Sequence, residues 1–171
     1  MSQGTHEPQR PELSQELSRM VAADQEAQRR IADGNGGRQA HEDLCRGNLD
    51  RMQVIVAEVG WPTITMVGTD GAFDAWLLVQ EADNEPEFQT HCLQLMQACP
   101  PHEVGQRLIG YLDDRIRAAA GKPQLYGTQF HAGADGRPEP WPIDDPDKLD
   151  ERRATLGLGP FDEYRRQVEG D

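Results

Sequence analysis

Five breakers cut the first part of the chain into helix-length windows, and they constrain the fold more than any other feature. They are Gly34-Asn35-Gly36-Gly37, Gly60-Trp61-Pro62, Asn84-Glu85-Pro86, Pro100-Pro101 and Gly121-Lys122-Pro123. Glycine releases the backbone from helical angles, and proline removes a hydrogen-bond donor and clashes with the preceding turn. Between the breakers apolar residues recur every three or four positions. The spacing predicts helices over residues 11–33, 41–59, 72–83, 86–98 and 103–120. A turn-rich link, with Thr69-Asp70-Gly71 as a cap, is expected before the third. Residues 1–10 are polar and expected to be flexible.

Beyond Pro123 the pattern changes. Prolines at 138, 140, 142 and 146 forbid a helix, so residues 123–146 read as an irregular arm over the bundle. Within it, 125–131 can pair with 139–143 across the Asp135-Gly136 turn signal. Two closing helices are expected at 147–156 and 161–168. The predicted fold is therefore mainly α: one five-helix orthogonal or bundle-like domain over 11–170, with a Pro/Gly-rich C-terminal arm.

Composition limits the partners. The 171 residues suit one domain, and 36% hydrophobic with 6% aromatic content gives a modest core. The formal charge of −13 disfavours nucleic acid and anionic lipid. The pairs Arg29-Arg30, Arg152-Arg153 and Arg165-Arg166 have acidic neighbours and read as solvated faces. No apolar run reaches the ~18 residues of a membrane span. The N-terminus lacks the apolar run and cleavage site of a signal peptide, so a cytoplasmic protein is expected. Nothing in the sequence fixes an oligomeric state. Cys45, Cys92 and Cys99 show neither a disulfide framework nor a CxxC spacing.

Polar residues interrupt the apolar stripes. Asp24 lies on the face made by Leu13, Leu17, Met20, Ala27 and Ile31, and Asn48 lies among Leu44, Met52, Ile55 and Val59. Gln80 and Glu81 follow Phe73, Trp76 and Leu77 by one turn. Arg115 follows Val104, Leu108, Tyr111 and Leu112. An ionised group facing a core needs a partner or water, because unpaired burial costs several kcal/mol. Convergence of Asp24, Glu81 and Arg115 on one polar pocket would satisfy all three. Two readings follow: a structural ion network, or an active site in which paired carboxylates beside an arginine shift a pKa for acid–base work.

Other chemistry is thin. The histidines at 6, 41, 91, 102 and 131 include no pair four apart and no HExxH, and His41-Glu42-Asp43 reads as a helix start. No GxSxG, Walker loop or GxGxxG occurs. No metal and no cofactor are expected.

Four short motifs stand in order: Gly60-Trp61-Pro62 with Val67-Gly68; Gln80-Glu81-Ala82-Asp83 with Phe88-Gln89; Asp114-Arg115-Ile116; and Gln124-Leu125-Tyr126-Gly127-Thr128-Gln129. Pro142-Ile143-Asp144-Asp145-Pro146, Arg152-Arg153 and Gly157-Leu158 follow. Together, over residues 13–166, they resemble a widespread bacterial domain family of unknown function, seen in actinobacterial cytosolic proteins and in some lipoproteins. The resemblance carries no established activity. It singles out Trp61, Gln80, Asp83, Gln89, Asp114, Arg115, Gln124, Tyr126, Thr128 and Gln129, which stand in the motif positions. Gln80 and Arg115 coincide with the stripe argument, which favours a functional pocket. Members of that family usually carry histidine where this chain has Glu81, so a histidine-based mechanism does not transfer.

The expected function is that of a small-molecule enzyme of the bacterial cytoplasm, possessing cofactor-independent acid–base chemistry (hydrolysis, isomerisation, elimination or cyclisation) and serving biosynthesis. Glu81, Asp24 and Arg115 are the catalytic candidates. The other motif residues would bind a small polar or anionic molecule, with the Tyr126-Gly127-Thr128-Gln129 loop as a lid. The alternative is a non-catalytic ligand-binding, immunity or regulatory domain.

Overall fold

The computed structural model describes residues 7–170. Part of the expected flexible stretch, residues 1–6, lies outside the described residues. The chain is mainly α-helical and divides into two compact units, the first ending at Gly105 and the second beginning at Gln106.

The first unit holds α1 (Pro11–Ala32), α2 (Arg38–Val59), α3 (Ile64–Gln80) and α4 (Pro86–Ala98). Pro11 and Pro86 open their helices at positions where the missing N–H is no loss. Helix α1 packs mainly on α3, and α2 leans on both. Leu17, Met52, Ile55, Val67, Ala75, Val79, Cys92 and Met96 form the interior. The first stripe buries Leu13, Leu17, Val21 and Asp24, so Asp24 faces inward as its spacing predicts. The α1–α2 turn needs its glycines: Gly34, Gly36 and Gly37 all have positive φ, where a Cβ is disfavoured.

Helix α3 begins eight residues earlier than its apolar pattern suggests. The Thr63 side chain accepts the Met66 N–H at 3.3 Å and caps a first turn, and the helix is then broken by non-helical angles at Gly68. Glu103 pins this start, its carboxylate accepting from the Thr65 N–H at 2.9 Å and the Thr65 hydroxyl at 2.5 Å. Glu103 is thereby held outside α5, which starts at Gln106 rather than 103. Phe73, expected on the buried stripe, is 44% exposed. Val67, Ala72, Ala75, Trp76, Leu78 and Val79 are covered instead. A helix apolar around most of its circumference does not declare its inner face.

The second unit holds α5 (Gln106–Ala119), the antiparallel strands β1 (Phe130–Ala132) and β2 (Pro138–Pro140), a 3₁₀ turn (Pro146–Lys148), α6 (Leu149–Thr155) and α7 (Phe161–Glu169). The hairpin pairs Phe130 with Pro140 and His131 with Glu139. It is shorter than the expected 125–131 with 139–143. The backbone N–H groups of Leu125, Tyr126 and Thr128 bond to Asp114 instead, and prolines at 138, 140 and 142 offer no donor. Among the described residues no helix is long and apolar enough to cross a membrane.

Candidate functional site

In the first unit the polar residue of the α1 stripe gathers a cluster around it. Asp24, 3% exposed, sits one turn past Val21. The glycine turn sends α2 back along α1, so His41, in the first turn of α2, meets Asp24: Nε2 lies 2.8 Å from Oδ1. Cys45, four residues on, shares His41's face of α2. Its Sγ lies 3.6 Å from the same Asp24 Oδ1 and 3.4 Å from the same His41 Nε2. The second carboxylate oxygen accepts from the Gln28 side-chain amide at 2.7 Å.

Glu81 closes the group. It stands one turn beyond Leu77 at the end of α3, its N–H bonded to the Leu77 carbonyl. Gln89, buried on α4, donates to the carbonyls of Val79 (3.2 Å) and Gln80 (3.1 Å), ending α3 at a fixed place. Taken whole the Glu81 side chain is exposed, but its carboxyl is partly desolvated and neighbours Asp24 in the same cleft. Burial first, then the adjacent Asp24 carboxylate, raises its pKa to about 6. Asp24, Gln25, Gln28 and Glu81, with Val21, Leu77 and Leu78, line a cleft of about 120 Å³.

The Cys45 thiol is pushed up to about 11, by burial and then by the Asp24 and Glu81 carboxylates. Burial lifts Cys92 to about 12. Both stay protonated at neutral pH, which opposes a thiolate nucleophile. All three cysteines are free, as the absence of a disulfide framework implies.

The second unit gathers a different polar set. Asp114, completely buried on α5, receives the N–H groups of Leu125 (2.7 Å), Tyr126 (3.0 Å) and Thr128 (2.9 Å) and the Thr128 hydroxyl (3.0 Å). Gln124, also fully buried, donates to the carbonyls of Gln129 and Trp141 and accepts from the Gln129 N–H. Arg153, 2% exposed, donates to the Gly159 and Tyr126 carbonyls and lies over the Tyr164 and Phe161 rings. The Tyr126-Gly127-Thr128-Gln129 backbone is thus moulded around Asp114, and the Thr128 and Gln129 side chains join the same network.

The sequence-derived candidates divide accordingly. Asp24 and Glu81 come together in the first unit. Gln80, half-buried, lends its backbone carbonyl to Gln89, whose amide also reaches Asp83 Oδ1 at 3.4 Å. Trp61 is a buried core residue. Asp114, Gln124, Tyr126, Thr128 and Gln129 form the loop network of the second unit, and Arg115, half-buried on α5, lies in that unit and not in the one that holds Asp24 and Glu81. Sequence reasoning missed Gln28, His41, Cys45 and Arg153. The His41–Cys45 spacing of four was the available signal for two of them. Arg153, expected on a solvated face with Arg152, is buried instead, and its place in the Arg152-Arg153 motif was the available signal.

Residues 11–171 match a family of unknown function, DUF6624. No curated protein and no solved structure matches the chain.

Proposed function

We propose, from the premise that the chain belongs to the DUF6624 family of unknown function, that it is a small-molecule enzyme working by general acid–base catalysis in the first unit. Glu81 is the group that gives and takes the proton. The single observation carrying this reading is that the Glu81 and Asp24 carboxyls line one cleft together with Gln28 and the apolar side chains of Val21, Leu77 and Leu78. Two carboxyls so close do not ionise independently, and a proton shared between them is available near neutral pH. Gln28 holds the Asp24 carboxylate in place, and Gln89 fixes the end of the helix that carries Glu81.

The cleft admits a small group, and its carboxyls favour a neutral or cationic polar substrate over an anion. Proton transfer at such a group covers the hydrolysis, isomerisation, elimination and cyclisation expected from the sequence. A biosynthetic role in the bacterial cytoplasm belongs to the same proposal. The test incubates the full chain with a panel of neutral and cationic polar metabolites and follows each by NMR. The expected outcome is consumption of one compound by the native chain and none by Glu81→Gln, with melting temperatures within a few degrees. Turnover that survives Glu81→Gln would remove Glu81 from the chemistry. No consumption or binding of any compound would count against an enzyme.

A further inference from the structure

We propose that Asp24, His41 and Cys45 form a site for one zinc-type transition-metal ion, an inference that goes beyond the acid–base reading and does not depend on it.

The argument starts from which atoms meet. Asp24 Oδ1, His41 Nε2 and Cys45 Sγ form a closed triangle with sides of 2.8, 3.4 and 3.6 Å. A Cys–His–Asp catalytic relay needs the thiol on one imidazole nitrogen and the carboxylate on the other. Here both partners converge on the same nitrogen, so no relay exists. Three donor atoms this close together can instead serve as one face of a coordination tetrahedron.

The dimensions fit that face. Zn–O and Zn–N bonds of about 2.0–2.1 Å and a Zn–S bond of about 2.3 Å imply, at tetrahedral angles, S–N and S–O separations of about 3.5 Å and an N–O separation of about 3.3 Å. The two sulfur edges match within about 0.1 Å. Only the His41–Asp24 edge, now at hydrogen-bond length, must open by about half an ångström. That is a side-chain movement.

The donor set selects the metal class. Thiolate with imidazole suits zinc and its neighbours, whereas calcium and magnesium take oxygen ligands. His41 and Cys45 lie one turn apart on one helix face, a spacing that lets two side chains share an ion. Gln28 bonds to Asp24 Oδ2 and so turns Oδ1 toward the other two donors. His41 and Cys45 are half-buried, which leaves a path for entry. On binding, the Cys45 S–H bond breaks, its proton passes to buffer, and the thiolate pair forms the metal–sulfur bond. Asp24 and Glu81, whose charges oppose a bare thiolate, attract a dication. Three protein ligands leave the fourth position for water, the arrangement of catalytic rather than structural zinc.

The experiment titrates the full chain, freed of metal by chelation, with cobalt(II) chloride as the spectroscopic probe and then with zinc chloride. The expected result is one cobalt per chain, with a thiolate-to-cobalt charge-transfer band and tetrahedral visible bands, both erased by one equivalent of zinc. Cys45→Ser loses the charge-transfer band, His41→Ala weakens binding by about tenfold or more, and Cys99→Ser changes neither. A native chain that shows no charge-transfer band overturns the proposal, and so does a band that survives Cys45→Ser. The two proposals fail separately. Glu81→Gln keeps the cobalt spectrum whatever it does to turnover, and a chain that ignores cobalt still leaves Glu81 to be tested by turnover.

Discussion

Replacing Asp114 by asparagine separates a loop-holding role from a substrate-holding one. The carboxylate is completely buried and receives four donors: the Leu125 N–H on Oδ1, the Tyr126 N–H on both oxygens, and the Thr128 N–H and hydroxyl on Oδ2. Asparagine keeps the shape but turns one oxygen into a donor. If the amide nitrogen takes the Oδ1 position, the Leu125 N–H loses its acceptor, while the Tyr126 N–H keeps its 3.2 Å bond to the other oxygen. If it takes the Oδ2 position, the Thr128 N–H loses its own, while the hydroxyl can rotate to accept. Either arrangement leaves one buried backbone N–H unpaired, at about 1–3 kcal/mol. The remaining bonds fall from charge-assisted to neutral, adding about 1 kcal/mol. Burial raises the Asp114 pKa against the pull of these same bonds, so removing the charge returns part of the loss. The net expectation is a cost of about 2–3 kcal/mol, felt in the second unit. Urea unfolding by circular dichroism measures it, and amide hydrogen exchange at Leu125, Tyr126 and Thr128 locates it, with these protons exchanging much faster in the variant. Unchanged stability together with unchanged protection would refute the reasoning and free Asp114 for another role.

Three further outcomes follow from the two clusters. Glu81 has a pKa of about 6 against its ordinary 4.5, so its stabilising contribution is full below pH 4.5 and is lost as pH rises through 6. In chelator-treated protein, Glu81→Gln should therefore gain on the native chain between pH 4.5 and 7.5, by at most about 1 kcal/mol after discounting for solvent screening of an exposed side chain; a constant gap in urea midpoints would contradict the assignment. Asp24→Asn removes the charge that helps hold the Cys45 thiol at about 11, so iodoacetamide should label Cys45 faster at pH 8 in the metal-free variant, read by peptide mapping, and an equal or slower rate would count against it. Gly127 has φ +66, and a Cβ there would sit 2.7 Å from Phe161 Cε2. Gly127→Ala should cost about 2 kcal/mol or more, combining left-handed strain with displacement of the ring, and an unchanged melting temperature would show that the loop yields.

The helices were largely legible because their signals are local. Gly34 to Gly37, Pro86 and Pro100-Pro101 act on their own neighbours, so the limits of α1 and α4 follow from the sequence within a residue. The inward turn of Asp24 was legible for a related reason: a periodic stripe fixes a helix face whatever packs against it. Errors arise where distant residues compete for backbone groups, as when Glu103 pins the start of α3 or Asp114 takes the donors that would have lengthened the hairpin.

The sequence by itself determined the number of main helices and the limits of α1 and α4, that Asp24 points inward, and that Glu81 follows the α3 stripe by one turn. Only the tertiary structure decided which groups share a space: Glu81, His41 and Cys45 around Asp24, and the loop of 124–129 around Asp114. The physical reason is range. Backbone propensity and periodicity act over one or two turns, whereas hydrogen bonds and ligand triangles depend on separations set by the packing of whole helices.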